Sequence, residues 1–350
     1  MTSGTVSVDA SYSLGRNLSG VGVYCRELLS ELAAQHPEVR WKWLFRPHRL
    51  VRGFQEPVPG NVQRGVLLDR ALWRSEQLFH GLNQRLPLKR FQLQVATFHD
   101  LFVMTAEYSS PEFRRRFTEQ ARHAAREADR IIAVSEFTAE QVVGLLNVER
   151  SRVAVVPHGV RPPSASAARR EKLVLHVGAI QKRKNLVRLV QAFAALPEQW
   201  HLVLAGSAGY GAEEVFAAIE RSKCRGRISA AGYASAQELG SLYARAMLFA
   251  FPSRDEGFGF PVLEAMAAGV PVVASNSSAV KEVAGDAAIL VDPLNEDAIA
   301  AALNTVASDE NVRNRLIAAG LDRAAAFTWQ RAAAGTWSVY RELLASRGDL

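Results

Sequence analysis

Cysteine is close to absent from this chain: of 350 residues only Cys25 and Cys224 carry thiols. Two cysteines so far apart support neither a disulfide framework nor a metal-binding cluster, so both are expected to be reduced and buried. Long apolar runs are missing as well. No stretch of about 18 uninterrupted apolar residues occurs, and the opening MTSGTVSVDA has no basic segment followed by an apolar one, which reads as a cytoplasmic protein without a spanning segment. The sequence holds no Asp-any-Asp triplet and no His and carboxylate set at metal-ligand spacing. A phosphorylated ligand held here is therefore expected to be neutralised by Lys and Arg, with no metal and no cofactor. Low-complexity tracts and short-period repeats are also lacking, which excludes solenoids and propellers.

Acidic residues are the scarcer charged type, 35 against 42 Lys and Arg, for a net charge of +7. The excess is uneven: residues 1–165 hold 22 Lys/Arg against 16 Asp/Glu, leaving 20 against 19, so +6 of the +7 is N-terminal. Such a bias suits an anionic partner, either a phosphate-bearing acceptor or the headgroups of a membrane surface; without a recognition motif it does not point to nucleic acid. Apolar residues at 48% and charged residues at 22% are ordinary for a folded protein, and the length suits two domains.

The chain alternates short β-rich runs with helical patterns. TVSVDA precedes a helix over Gly20 to Gln35, QVATFHD one over Pro111 to Ala128, and RIIAVS one over Thr138 to Leu146; RVAVVPHG follows. Arg161 to Arg170, RPPSASAARR, has the composition of a linker. Beyond it the alternation resumes with KLVLHVGA, WHLVLAGS, RISAAGY, MLFAFPS, PVVASN and AAILVDP, separated by helices at Asn185 to Leu196, Ala212 to Arg221, Ala236 to Ala244 and Pro261 to Ala268. This predicts an α/β chain of two doubly wound, Rossmann-like domains facing across a cleft. The boundaries are 1–163 for the first domain and 164–328 for the second. Residues 329–350 form a C-terminal helix packing back on the first.

The segment Phe251 to Gly269, FPSRDEGFGFPVLEAMAAG, carries the most chemistry. A β-run ends at a Pro-Ser turn, passes through Gly257-Phe258-Gly259 and enters a helix at Pro261, a residue suited to a first helical position. Backbone N–H groups at such a start favour anions and polar ligands. Glu256 stands at the loop mouth and Glu264 eight residues on; carboxylates accept hydrogen bonds from vicinal hydroxyls, as on a sugar or a ribose.

This segment resembles the glutamate, seven residues, glutamate motif of family 4 glycosyltransferases, which adopt the GT-B fold. SGVGVYCREL from Ser19, ADRIIAVSEFTAEQV from Ala128, VAVVPHGV from Val153, HVGAIQKRKNLVRLVQAF from His176, AGYASAQELGSLYARA from Ala231 and ASNSSAVKEVAGDAAILVDP from Ala274 are similar to further pieces of that family. The resemblance implies a retaining transfer of a hexose from a nucleoside diphosphate sugar. Glu256 would lie beside the hexose, the amides of Gly257, Phe258, Gly259 and Phe260 near sugar hydroxyls and phosphate, and Glu264 on the ribose. Lys184 would neutralise the diphosphate beside Gly178, and Gly206, Gly232 and Tyr233 would hold the base. Many members carry Arg where this chain has Ala179; Arg183 could serve instead, or Lys184 alone. Gly20 and Gly22 would approach the donor phosphate from the first domain, and His99 would stand near the transferred sugar. Truncating Glu256 or Lys184, read as cleft residues, is expected to spare the fold.

Within the family the chain looks most like bacterial mannosyltransferase-like members that build envelope polysaccharide and lipopolysaccharide. That makes GDP-mannose the first donor and a glycan or lipid-linked molecule the acceptor. Two other readings stay open: another GT-B enzyme, such as a pyridoxal-phosphate glycan phosphorylase or a 2-epimerase, and a non-catalytic nucleotide-sugar-binding subunit. His158 is read as a hinge residue and His176 as a strand residue. Trp41, Trp43, Phe45, Arg46 and Arg49, in RWKWLFRPHRLVR, could rest on an anionic membrane, as could FRRRF at Phe113 to Phe117; the alternative for the first is a strand with basic edges.

Overall fold

The computed structural model describes residues 5–15, 17–69, 77–162 and 169–346, so the central part of the expected linker, 163–168, lies outside the described residues. The chain forms two compact units. The first comprises Met1–Met104, Pro111–Gly159 and Thr328–Leu350, and the second Thr105–Ser110 and Val160–Phe327.

In the first unit seven parallel strands make one sheet: β1 (Thr5–Asp9), β2 (Arg40–Phe45), β3 (Val62–Val66), β4 (Leu78–Gly81), β5 (Leu93–Phe98), β6 (Arg130–Ala133) and β7 (Val153–Val155), in the order β3-β2-β1-β4-β5-β6-β7. Every residue of β5 is buried, as expected of a parallel strand covered on both faces. The helices begin where side chains can accept the first free amides. Ser19 Oγ accepts from Gly22 N at 3.3 Å, Ser135 Oγ from Thr138 N at 3.0 Å, and Thr328 Oγ1 from Arg331 N at 3.2 Å. The helix Trp329–Ala345 is last in the chain yet belongs to this unit, packing on the helix Gly20–Gln35 with Trp329 and Tyr340 buried. Tyr340 Oη lies 2.5 Å from His80 Nδ1, and His80 Nε2 lies 2.8 Å from Thr97 Oγ1, so a buried polar chain ties that helix to β4 and β5.

The aromatic half of the aromatic-basic run in this unit is not a surface patch. Trp41, Trp43 and Phe45 are buried in β2, an interior strand, Arg46 is buried directly after it, and only Arg49 of that group is exposed. Arg46 is held by Asp9 at 3.0 Å and Asp69 at 3.1 Å. The strand reading is the correct one: parallel strands bury both faces, and Trp side chains alternating with Arg and Lys mimic an interfacial pattern. Among the described residues no helix is long and apolar enough to cross a membrane.

The second unit repeats the plan with six parallel strands: β8 (Glu171–Val177), β9 (His201–Ala205), β10 (Ile228–Gly232), β11 (Ala246–Phe251), β12 (Val272–Ser275) and β13 (Ile289–Val291), ordered β10-β9-β8-β11-β12-β13. One contiguous core joins Phe193, Leu202, Leu204, Leu248 and Leu303 between sheet and helices. Arg170, just before β8, donates to the carbonyls of Tyr243 (2.5 Å), Ala246 (2.8 Å), Ala268 (2.6 Å) and Gly269 (3.1 Å), clasping the carboxyl ends of two helices. In both sheets the strand order reverses once, between β1 and β4 and between β8 and β11. Open parallel sheets bind ligands outside the carboxyl ends of the strands flanking such a reversal.

Candidate active site

Lys184 and Glu256 meet at the reversal point of the second sheet. The chain leaves β8 at Gly178, whose φ of +143° favours glycine, and makes a short turn over Lys182–Lys184. Asn185 follows in the left-handed region at φ +59°, and its side-chain Nδ2 donates to the carbonyls of Pro252 (3.1 Å) and Pro293 (2.6 Å). These bonds aim Arg183 and Lys184 at the loop leaving β11. Lys184 Nζ lies 2.5 Å from Glu256 Oε1 and 4.7 Å from the centroid of the Phe251 ring. Arg183 Nη1 lies 2.6 Å from Glu256 Oε2 and donates to the Asp255 carbonyl at 2.5 Å. All three charged side chains are buried.

Burial by itself would raise the carboxyl of Glu256, but the charges of Arg183 and Lys184, with their hydrogen bonds, outweigh it and hold it at about 2. Glu256 is thus an anion throughout the neutral range. Its backbone is fixed too: Glu256 N donates to Ser278 Oγ at 3.2 Å, and the Glu256 carbonyl accepts from Ala279 N at 3.2 Å. Next to it Asp255 is buried, accepts from Thr105 Oγ1 at 2.9 Å through Oδ2, and has its carboxyl raised, chiefly by burial.

Downstream, Gly259 at φ +111° caps the helix Phe260–Ala267, and Pro261 is its second residue rather than its first. The Phe258 side chain is buried against Phe260 (5.5 Å between ring centroids) and Phe327 (5.9 Å), so this residue anchors the loop and only its backbone remains for a ligand. Glu264 accepts from Tyr243 Oη at 2.9 Å, and burial pushes its carboxyl upward. Gly178, Gly206 and Gly232 line up at the carboxyl ends of β8, β9 and β10: Gly206 N donates to the Gly232 carbonyl at 2.7 Å, and a Cβ on Gly206 would stand 2.0 Å from the Gly178 carbonyl oxygen. Tyr233 is half exposed beside them. His176 is a strand residue, buried, with Nδ1 on the Ala250 carbonyl at 2.9 Å.

Gly20, Gly22 and His99 belong to the first unit. Gly20 is exposed at the first position of its helix. The amide of Gly22 serves the Ser19 cap, and a Cβ there would meet Leu18 Cδ2 and the Tyr12 carbonyl, both at 3.0 Å. Close packing accounts for a glycine at this position. His99 follows β5 directly; its Nε2 is 2.8 Å from the Leu82 carbonyl and its Nδ1 is 3.4 Å from His158 Nε2. A carbonyl only accepts, so Nε2 carries the proton. Burial holds His99 neutral, down at about 4. Tyr24 meets its ring edge-on at 4.7 Å and bonds Thr97 at 2.9 Å.

Two expectations meet in this cluster. Arg183, offered with Lys184 as a cation in place of the one missing at Ala179, reaches the same carboxylate as Lys184. Glu256 and Lys184 are not open cleft residues but halves of a buried ionic cluster, and truncating either has a folding cost. Sequence reasoning missed Asn185, Ser278 and Tyr243, which orient the charged groups. Asn185 had a visible signal, an Asn directly after a cationic turn, because Asn tolerates left-handed backbone. Cys25 and Cys224 are both free and buried. Among the described residues no group of three or more His, Cys, Asp or Glu could hold a metal ion.

Comparison with known proteins agrees with this geometry. Residues 162–323 match the family model of group 1 glycosyl transferases, and residues 78–162 match that of glycosyltransferase family 4. The chain is 32% identical to the O-antigen chain mannosyltransferase B of Escherichia coli over 93% of its own length and 97% of that protein's. It is also 32% identical to the D-inositol 3-phosphate glycosyltransferase of Xylanimonas cellulosilytica, over 61% of this chain and 57% of that protein. Among solved structures, the sucrose-phosphate synthase of Thermosynechococcus elongatus superposes with a TM-score of 0.77 over 98% of this chain and all of that one, at 21% identity. With two reversed parallel sheets, a glutamate pair on the loop and helix after β11 and a relative matched along its whole length, the chain belongs to the family 4 glycosyltransferases of GT-B fold.

Proposed function

We propose that this enzyme transfers a hexose, with retention at the anomeric carbon, from a nucleoside diphosphate sugar to a glycan or lipid-linked acceptor in bacterial envelope polysaccharide synthesis. Mannose from GDP-mannose is the first donor to test, since one relative matched end to end is an O-antigen mannosyltransferase. The observation that carries the reading is the convergence of Arg183 and Lys184 on Glu256 at the sheet reversal. A departing diphosphate gathers negative charge, and two preorganised cations in a buried setting stabilise it without a divalent ion. Glu256 then accepts from the hexose hydroxyls, Glu264 from the ribose diol, and the amides of Gly257 to Phe260 face the sugar and phosphate. Gly178, Gly206, Gly232 and Tyr233 border the nucleotide.

Glu256, anionic at about 2, is no proton carrier near neutrality. His99 is neutral with both ring nitrogens engaged, so it is not the group that takes the acceptor proton. That favours front-face substitution. The bond from the anomeric carbon to the leaving phosphate oxygen breaks, the bond to the acceptor oxygen forms on the same face, and the acceptor proton passes to that phosphate oxygen. The test is product analysis: wild-type protein with GDP-, UDP-, dTDP- and ADP-hexoses and EDTA present, with anomeric configuration read by NMR. An α-linked product from an α-donor without added metal is expected; inversion, or turnover only after magnesium or manganese is restored, overturns the reading.

A further inference from the structure

Glu256 and Glu264 stand in opposite electrostatic settings. Two cations hold Glu256. Among the described residues Glu264 has no Lys or Arg within ion-pairing distance, and its carboxylate has a single hydrogen-bond partner, the hydroxyl of Tyr243, 2.9 Å from Oε2. Burial and the neighbouring carboxyl push the Tyr243 phenol well above its ordinary value, so the phenol keeps its proton and is the donor. That hydrogen bond works against the burial that raises Glu264 and favours its anionic form. The hydroxyl is rigidly placed. Tyr243 lies in the last turn of the helix Ala236–Arg245, whose start is closed by Ser235 Oγ accepting from Glu238 N at 3.3 Å and Glu238 Oε2 accepting from Ser235 N at 2.7 Å. Arg170 ties the other end through the Tyr243 carbonyl at 2.5 Å, and the buried ring stands 5.9 Å from that of Phe249. Glu264 is half-buried on the helix Phe260–Ala267, a long side chain with much rotamer freedom to lose, and its Oε1 has no partner among the described residues. A fixed donor thus pins one oxygen of a mobile carboxylate and leaves the other to a ligand.

We infer that Tyr243 is a positioning residue through which Glu264 reads the ribose 2′-hydroxyl, so that the donor is a ribonucleoside diphosphate sugar and 2′-deoxyribose donors such as dTDP-sugars are selected against. The inference rests on the reading that places Glu264 on the ribose, and narrows it. A carboxylate offers about four lone-pair sites on its two oxygens. With one occupied by Tyr243, the others accept from the vicinal 2′- and 3′-hydroxyls. A 2′-deoxyribose supplies only the second of these hydrogens and leaves a partly buried anion short of a donor, which a site built for hydroxyls penalises. Holding the carboxylate in place before the nucleotide arrives spares the ordering cost that a freely rotating Glu would subtract from affinity.

The test is equilibrium binding, read by calorimetry on wild type, Tyr243→Phe, Glu264→Ala and the double variant, with GDP, 2′-deoxyGDP, UDP and 2′-deoxyUDP as probes. Phenylalanine keeps the ring beside Phe249, and a melting temperature is taken for each protein. Wild type is expected to bind the ribose form of its preferred base at least about tenfold more tightly than the 2′-deoxy form. In Tyr243→Phe that ratio falls at least about threefold, through weaker binding of the ribose form, while affinity for the 2′-deoxy form stays within about twofold. A general loosening of the fold would weaken both forms alike. Added to Glu264→Ala, Tyr243→Phe leaves the ratio where it was, because the hydroxyl acts only through the carboxylate. An unchanged ratio in Tyr243→Phe overturns the inference, and so does a further fall in the double variant. A wild-type ratio near one, or a ratio that survives Glu264→Ala, is a different result: it removes Glu264 from the ribose and takes the inference with it.

Discussion

The cluster of Glu256 with Arg183 and Lys184 makes unequal demands on its three members. Removing Glu256 leaves two cations facing each other without an anion, whereas removing Lys184 leaves Glu256 still paired with Arg183 at 2.6 Å. Breaking a buried ion pair by deleting the partner of an otherwise uncompensated charge costs about 3–5 kcal/mol. Glu256→Ala is therefore expected to lower the urea midpoint clearly more than Lys184→Met, whose thioether keeps the contact with Phe251; the reverse ranking would show that the cluster is not paired as described. Glu256→Gln retains shape and one acceptor without a cavity but, like Ala, leaves Arg183 and Lys184 without an anion, so its transfer rate is read beside its own urea midpoint. Its folded fraction should lose on the order of 10²- to 10³-fold in transfer rate. The residue types of this site were legible because Glu256 and Glu264 sit in a recognisable frame around glycines and Pro261. Their burial was not. A run such as QKRKN reads as a solvated turn until the left-handed Asn185 folds it against the loop after β11.

Among elements, those with a simple period were readable and those with a mixed one were not. The helices Gly20–Gln35, Ala212–Arg221 and Trp329–Ala345 have the bounds that apolar spacing and capping residues predict, and the ten β-rich runs noted in the sequence are all strands. β3 and β4 were missed: VQRGV carries a Gly and two polar residues, and LFHG is only four residues long. β2 was ambiguous because one alternating pattern of Trp, Arg and Lys fits both a half-buried strand and an interfacial segment. The ends of β8, β9 and β10 invite a test. An alanine Cβ at Gly206 would overlap the Gly178 carbonyl, breaking the bond from Gly206 to Gly232 or displacing the turn that carries Lys184. Gly206→Ala should destabilise by about 1–3 kcal/mol and weaken nucleotide binding. Gly226→Ala, with nothing within 4 Å of the added carbon, should stay within about 0.5 kcal/mol. Equal stability of the two variants would remove the argument from close approach.

Taken as a whole, the molecule stores several histidines in neutral form. Burial lowers His80 to about 3 and His99 and His176 to about 4, each from an ordinary 6.5, and holds His158 well below it. Between 6.5 and those values the unfolded chain takes up protons that the folded protein refuses. Their contribution to stability is thus complete above pH 6.5 and lost as pH falls toward 4. Glu256 loses its contribution as pH falls from about 4.5 to about 2, while Glu264 and Asp255, raised by burial, oppose the histidines over part of the range. The melting temperature is expected to fall between pH 6.5 and 4.5; a flat profile there would contradict the burial of these rings. A last consequence concerns Lys184. The sequence has only seven lysines, at positions 42, 89, 172, 182, 184, 223 and 281, and Lys184 alone is buried. Its ammonium is shielded by Glu256 on one side and the Phe251 ring on the other. Reductive methylation with formaldehyde and a borane should dimethylate the other six amines first, so a surface-alkylated preparation made for crystallisation keeps its transfer activity, and peptide mass mapping should find position 184 as the last lysine to gain 28 Da.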